Sequence, residues 1–294
     1  MSAFSATEAA FEGFRVARER PWAIVAWAGV ALAMSVARIV LTQTLADVHA
    51  LGQLQQVMSS PHPDVNQVLA LASGQLPFLA AFLPISLLYY GILFAAAFRV
   101  VLEPGSSVNG LRIGIQELRQ VLLILLLSTI LFFSDIAVLF AAGLVWAVAA
   151  AISKVLGGVV AFIGFLAWVV FAVVVPVRLS LAGPDTFADH RFKPFHSWAM
   201  TRGHFWPMLG AYVFATIFAI VVVLLGWSIL AGLFAFGGTT IQEMIIPPAQ
   251  VSEYLHPFRL IYLIGSAFIS AQAFAILACP AAAIFRQLNR EAVA

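Results

Sequence analysis

The sequence predicts an all-α integral membrane protein with six transmembrane helices. They form three hairpins, each preceded by a cytoplasmic interfacial amphipathic helix. Three observations predict this. Of 294 residues, 63% are hydrophobic and only 10% are charged, where a soluble domain carries roughly 25% charged residues. Six apolar stretches are long enough to cross a hydrocarbon core of about 30 Å at about 1.5 Å per residue. Lysine and arginine gather on alternate connections between those stretches.

The spans are expected near Trp22–Leu45, Leu76–Leu102, Val121–Ala151, Val155–Leu181, Met208–Phe236 and Leu260–Phe285, in a single polytopic domain covering 1–294. A mean hydropathy of +1.01 over the whole chain requires lipid around it. Arg15, Arg18 and Arg20 precede span 1. Arg99, Arg112 and Arg119 follow span 2, and Arg178, Arg191, Lys193 and Arg202 follow span 4. Arg286 and Arg290 end the chain, whereas the opposite side holds Lys154 and Arg259. Positive residues stay on the cytoplasmic side, so both termini are expected there. The first twenty residues mix Glu8, Glu12 and Glu19 with three arginines, unlike the basic start of a cleavable signal peptide.

Three stretches on that side have an amphipathic pattern. Ser5 and Glu8 are spaced as a capping box. Ala10, Phe11, Phe14 and Ala17 then share one helical face, opposite Glu8, Glu12, Arg15 and Glu19. Pro21 marks the bend into span 1. Before span 3, Leu111, Ile115, Leu118 and Leu122 recur at helical spacing while Arg112, Gln116 and Arg119 face away, with Asn109 as N-cap. Glu117 and Arg119 are expected to pair at the surface. Before span 5, Trp198, Arg202, Phe205, Trp206 and Leu209 form a stripe. Tryptophans at headgroup depth and arginines reaching phosphates suit an interfacial helix. Arg202 between two tryptophans is placed to stack or snorkel. The connections at 46–75 and after span 5 read as polar loops, and ISKVLGG as a tight turn.

Arg38 and Asp135 fall inside spans 1 and 3. An isolated charge at mid-membrane costs about 2.5–3.5 kcal/mol or more. Counted from Trp22 and Val121, they lie about 24 Å and about 21 Å deep, so an ion pair between them is expected. A structural clasp and an ion or proton relay both fit. The lack of a second deep carboxylate favours the clasp.

Other chemistry finds little support. The single cysteine, Cys279, forms no internal disulfide. None of the six histidines lies within a span, which argues against haem. Asp185, Asp189 and His190 are close in sequence, but such loops are usually solvated. No H-E-x-x-H, Gly-rich phosphate loop or G-x-S-x-G occurs. Ser266 has no intramembrane histidine to activate it. No enzyme activity, metal or cofactor is expected. A net charge of +2 gives no reason to expect nucleic acid as a partner.

Two cytoplasmic segments, RVVLEPGSSVNGLRIGIQELR and VPVRLSLAGPDTFADHRFKPFHSWAMTRGHFWPMLG, carry a family resemblance. The chain resembles the bacterial six-helix inner-membrane domain that accompanies some glycerophosphodiester phosphodiesterases. The matching positions are Pro104, Arg112, Gly114, Glu117 and Arg119 in the first segment. In the second they are Arg178, Pro184, Ser197, Trp198, Thr201, Gly203, Phe205 and Trp206. The His-Arg-Gly start of the catalytic barrel is absent, since HRF at 190–192 ends in Phe192. The resemblance therefore implies a membrane module without the phosphodiesterase activity, concerned with lipids or envelope integrity. The expected partners are membrane lipids, anionic ones included. Arg112, Arg119, Arg178, Trp198, Arg202, Phe205 and Trp206 are the candidate headgroup or interface residues. A transporter or channel using Arg38 and Asp135, and an accessory subunit of a membrane complex, are the rival readings.

Overall fold

The computed structural model describes residues 5–46, 48–60, 64–105, 108–245 and 254–293. Its helices are α1 (Ala6–Ala10), α2 (Glu12–Glu19), α3 (Pro21–Leu45), α4 (Val48–Met58), α5 (Val65–Ser73), α6 (Leu76–Leu102) and α7 (Ile115–Ile152). There follow α8 (Lys154–Leu179), α9 (Ala182–Ala188), α10 (His196–Met200), α11 (Phe205–Phe236), α12 (Ile241–Ile245) and α13 (Pro257–Val293). Among the described residues there is no strand. Six helices (α3, α6, α7, α8, α11 and α13) are long and apolar enough to cross a membrane. They match the expected spans to within a few residues, except that α7 starts earlier and α13 ends later.

Local chemistry sets the helix ends. Ser5 Oγ accepts from Glu8 N at 3.3 Å and caps α1. Pro21 sits in the first turn of α3, where its missing N–H costs nothing. Ser153 alone separates α7 from α8, and its Oγ accepts from Leu156 N at 3.4 Å. The two helices fold back tightly because Gly157 has no Cβ, which would lie 2.9 Å from the Ala150 Cα.

The core is rich in alanine. Ala271, Ala275, Ala278 and Ala282 of α13 pack with Ala95, Ala96 and Ala97 of α6 and with Ala23 and Trp27 of α3. Small side chains let helices approach closely where lipid gives no hydrophobic drive for association. Trp27 is fully buried and donates from Nε1 to Asn109 O at 2.9 Å. A second cluster joins Val177 of α8 and Met208 of α11 to Ile284 of α13. The end of the bundle holding Arg20, Arg99, Ser180 and Arg286 is called the terminal face, because residues 5 and 293 lie towards it. The α7–α8 turn and Arg259 mark the far face. The α7–α8 hairpin stands out from the rest, its helices packing chiefly on each other and on α6 and α9. At 38 residues, α7 is about 57 Å long, nearly twice the hydrocarbon thickness.

Three sequence expectations change. The 46–75 connection carries α4 and α5, with Asp64 capping α5 through Asn66 N at 2.9 Å. The segment before span 3 is not a separate helix, because 111–114 are non-helical and α7 runs on unbroken from Ile115. Of its apolar stripe, Ile115, Leu118 and Leu122 face outward, as a membrane-facing stripe does, whereas Leu111 packs against the first core cluster. Ile115 is 66% exposed, and Leu118 and Leu122 are exposed, while Glu117 and Gln120 are buried. Before span 1, α2 packs on α13, and Glu12 of its expected polar face is buried. A Cβ on Gly13 would come within 2.5 Å of the Ile276 Cα, so the two backbones are in contact there.

Candidate functional site

At the terminal face, buried polar groups lock the helices together. Arg99 of α6 and Glu117 of α7, each 4% exposed, form an ion pair with Nη2–Oε1 at 2.5 Å. Arg99 Nη1 also donates to Gly110 O, and its guanidinium lies 5.3 Å from the Phe187 ring centroid. A buried pair persists only when its other polar atoms are also satisfied. Glu117 therefore faces inward and pairs across helices, not with Arg119 at the surface. Next to it, the buried Gln120 donates from Nε2 to Gly183 O at 3.0 Å. In α9, the buried Asp185 accepts from His196 Nδ1 at 2.9 Å.

A second lock holds the N-terminal helices. Glu12, 2% exposed, meets Arg15 Nη2 at 2.5 Å and Arg286 Nη2 at 3.2 Å. Arg286 Nη1 further donates to Val101 O at 3.0 Å, joining α2, α6 and α13. Burial pushes the Glu12 carboxyl above its ordinary value, against the opposing pull of Arg286 and Arg15. The sequence shows Glu12 on a polar face, but its partner lies 274 residues away.

Between the α7–α8 hairpin and the bundle runs an open-sided crevice of about 280 Å³. Phe94, Leu127, Leu131 and Leu277 are among its apolar walls. Gln120, Ser180 and Tyr212 give it a polar patch at the terminal face. Tyr212 donates its hydroxyl to Ser180 Oγ at 2.7 Å, and Ser180 donates onward to Val177 O at 2.8 Å. Pro176, Leu179, Ser180 and Gly183 line the crevice at spacings of three and four, so one stripe running from α8 into α9 faces it.

Of the expected interface residues, Arg119 and Arg178 adjoin the crevice-lining Gln120 and Leu179. Arg178 sits one step round α8 from that stripe, with its guanidinium 5.4 Å from the ring centroid of Trp198, which is 39% exposed. Arg178 Nε is buried without a hydrogen-bond partner. Trp198 thus stacks with Arg178, where the sequence suggested Arg202. Arg202 is exposed, and Trp206 is 77% exposed beside Phe205, with ring centroids 5.4 Å apart. Phe205 itself packs against the second core cluster. Arg112 is exposed, and Arg119 donates to Gln116 Oε1 at 3.5 Å. Among the resemblance positions, Glu117, Pro184, Ser197 and Thr201 are buried. The cues for these were an acid, a proline and two hydroxyls at an otherwise amphipathic surface.

Arg38 and Asp135 do not form the expected ion pair. Arg38 is exposed on α3 and lines a hollow with Tyr262 of α13. Asp135 is half-buried on α7, and its Oδ1 is buried without a hydrogen-bond partner. The reason is register. Trp27 and Phe94 both meet Phe274, at 6.1 Å and 5.1 Å, so they are level. Gly91 abuts Val121, which makes Val121 level with Val30 and not with Trp22. From that level Arg38 is about 12 Å and Asp135 about 21 Å along their helices. Among the described residues, no group of three or more His, Cys, Asp or Glu side chains is arranged to hold a metal. Comparison with protein-family models, curated proteins and solved structures returned no match.

Proposed function

We propose that this is a non-enzymatic, lipid-handling protein of the bacterial inner membrane, with both termini cytoplasmic, that binds one lipid acyl chain beside the α7–α8 hairpin. The crevice carries the reading. Its apolar walls open sideways and end in Gln120, Ser180 and Tyr212 at the terminal face, the arrangement an acyl chain with a polar head requires. The head then lies among Arg178, Trp198, Arg202 and Trp206, where guanidinium groups pair with phosphate and indoles favour the interface. The concentration of arginine on this side supports a cytoplasmic assignment. The resemblance to the membrane domain of some glycerophosphodiester phosphodiesterases agrees with a lipid-facing role and gives no reason to assign catalysis. The three approaches to the odd-numbered spans remain membrane-surface elements in this reading, with the second built as the first turns of α7.

The test is an inventory of lipids retained by the protein in native polymer nanodiscs, compared with a Leu131→Trp variant that fills the crevice. The reading predicts one enriched lipid class that the variant loses. Bulk lipid in both would reject it, and a stoichiometric co-purifying protein would favour the accessory-subunit alternative.

One observation favours a second reading, conduction of a proton or small solute. Asp135 Oδ1 is buried in a span without a partner, and intramembrane carboxylates often mark transport paths. Asp135→Asn would then abolish flux in proteoliposomes while the protein stays folded. Unchanged flux, or none in the parent protein, removes this reading.

A further inference from the structure

The polar end of the crevice carries a pattern of donors and acceptors that selects among lipids. Gln120 is only 1% exposed, yet it lines the crevice. Its Nε2 donates to Gly183 O at 3.0 Å, while among the described residues its Oε1 accepts no hydrogen bond. That oxygen lies beside Gly183, another lining residue, whose missing Cβ would lie 3.5 Å from it. The other two polar groups have spent their hydrogens. Tyr212 donates its hydroxyl to Ser180 Oγ at 2.7 Å, and Ser180 donates onward to Val177 O at 2.8 Å. A hydroxyl carries one hydrogen and two lone pairs, and a side-chain amide carries two hydrogens and a carbonyl oxygen. Three of the four donor hydrogens at this end are therefore committed within the chain. Lone pairs on Gln120 Oε1, Ser180 Oγ and Tyr212 Oη remain.

An acceptor-rich end is matched by a ligand that donates. A phosphodiester offers acceptors only, so it suits a guanidinium such as Arg178 beside the crevice and not this patch. A ligand hydroxyl fits, because it donates to Gln120 Oε1 and leaves no buried oxygen unpaired. The crevice, at about 280 Å³, lies at the lower end of small-ligand sites, which begin at roughly 300 Å³, and so has room for one chain and not two. We propose that it selects lipids with a single acyl chain and a free glycerol hydroxyl beside it, as in a lysophospholipid or a monoacylglycerol. The chain runs between Phe94, Leu127 and Leu131, and the hydroxyl meets Gln120. A diacyl lipid has an ester in place of that hydroxyl, and its second chain must stay outside. The assignment rests on the crevice being a lipid site and adds which lipids it takes.

The test uses the full chain in phosphatidylcholine nanodiscs and counts bound lipid by native mass spectrometry. The probes are lysophosphatidylcholine, whose choline head carries no hydroxyl, and its 2-deoxy analogue. Lysophosphatidylcholine should bind about ten-fold more tightly than the deoxy lipid, as expected when a buried acceptor is otherwise left unpaired. Gln120→Leu should largely abolish that difference, and Leu131→Trp should abolish binding of both. Competition by a monoacylglycerol as strong as that by lysophosphatidylcholine assigns the chain and hydroxyl alone, whereas weaker competition adds the phosphate. Equal binding of the two lysolipids by the parent overturns the selection. So does a difference that persists in Leu131→Trp or in a folded Gln120→Leu, because the hydroxyl is then read elsewhere. If Gln120→Leu fails to fold, the comparison of the two lysolipids in the parent and in Leu131→Trp decides. A diacyl lipid held by the parent and lost in Leu131→Trp, with no preference for the hydroxyl, would keep the crevice as a lipid site and sink the selection alone. No lipid sensitive to Leu131→Trp would sink both.

Discussion

Arg99 Nη2 and Glu117 Oε1 stand 2.5 Å apart in a fully protein-covered layer, and through them α6 is fastened to the first turn of α7. Breaking a buried pair by removing one partner costs about 3–5 kcal/mol, because the remaining charge stays buried and unpaired. Glu117→Gln and Arg99→Met should each markedly lower the thermal unfolding temperature in detergent. The double variant Arg99→Met with Glu117→Leu should recover most of that loss. Additive losses would mean that the pair is not coupled.

The close contact of α2 with α13 gives a geometric prediction. Gly13→Ala places a Cβ against the Ile276 backbone, and overpacking of this kind costs about 1–3 kcal/mol. Proteolysis should then cut the N-terminal segment several-fold faster in Gly13→Ala than in the parent. Gly29→Ala has open space around it and should be neutral.

Glu12 supplies a pH dependence. Its carboxyl is raised above the ordinary 4.5 by burial, against Arg286 and Arg15. The folded protein therefore binds this proton more tightly than the unfolded chain does. Stability from this group is fully present below about 4.5 and is lost as pH rises through the raised folded value. Thermal unfolding at pH 5 and pH 7.5 should differ more in the parent than in Glu12→Gln, with Glu12 favouring the lower pH. A larger difference in the variant would reverse the sign of the account.

The spans were legible because lipid imposes a length and an apolar composition that few other environments demand. Which face of each helix points inward was not legible, because bilayer and core are both apolar. Ile115, Leu118 and Leu122 form the amphipathic stripe that a soluble helix would bury. Here they face outward, while Glu117 and Gln120 turn inward to Arg99 and Gly183. Depth was misread for a related reason. Span starts inferred from composition are not level in space, so Arg38 and Asp135 looked matched when they were not. Arg178 and Trp198 were both recognisable as interface residues, but their stacking depends on how α8, α9 and α10 turn.

The central claim, that the crevice holds a lipid chain, is tested most directly by photo-crosslinking from inside it. A photoreactive residue replaces Leu127 in the crevice wall or, for comparison, Leu139, which is exposed on the hairpin. Lipid adducts are then identified by mass spectrometry in native membranes. The account predicts that one lipid class dominates the adducts at position 127 while those at position 139 follow the bulk membrane. Adducts that mirror the bulk at both positions would contradict it.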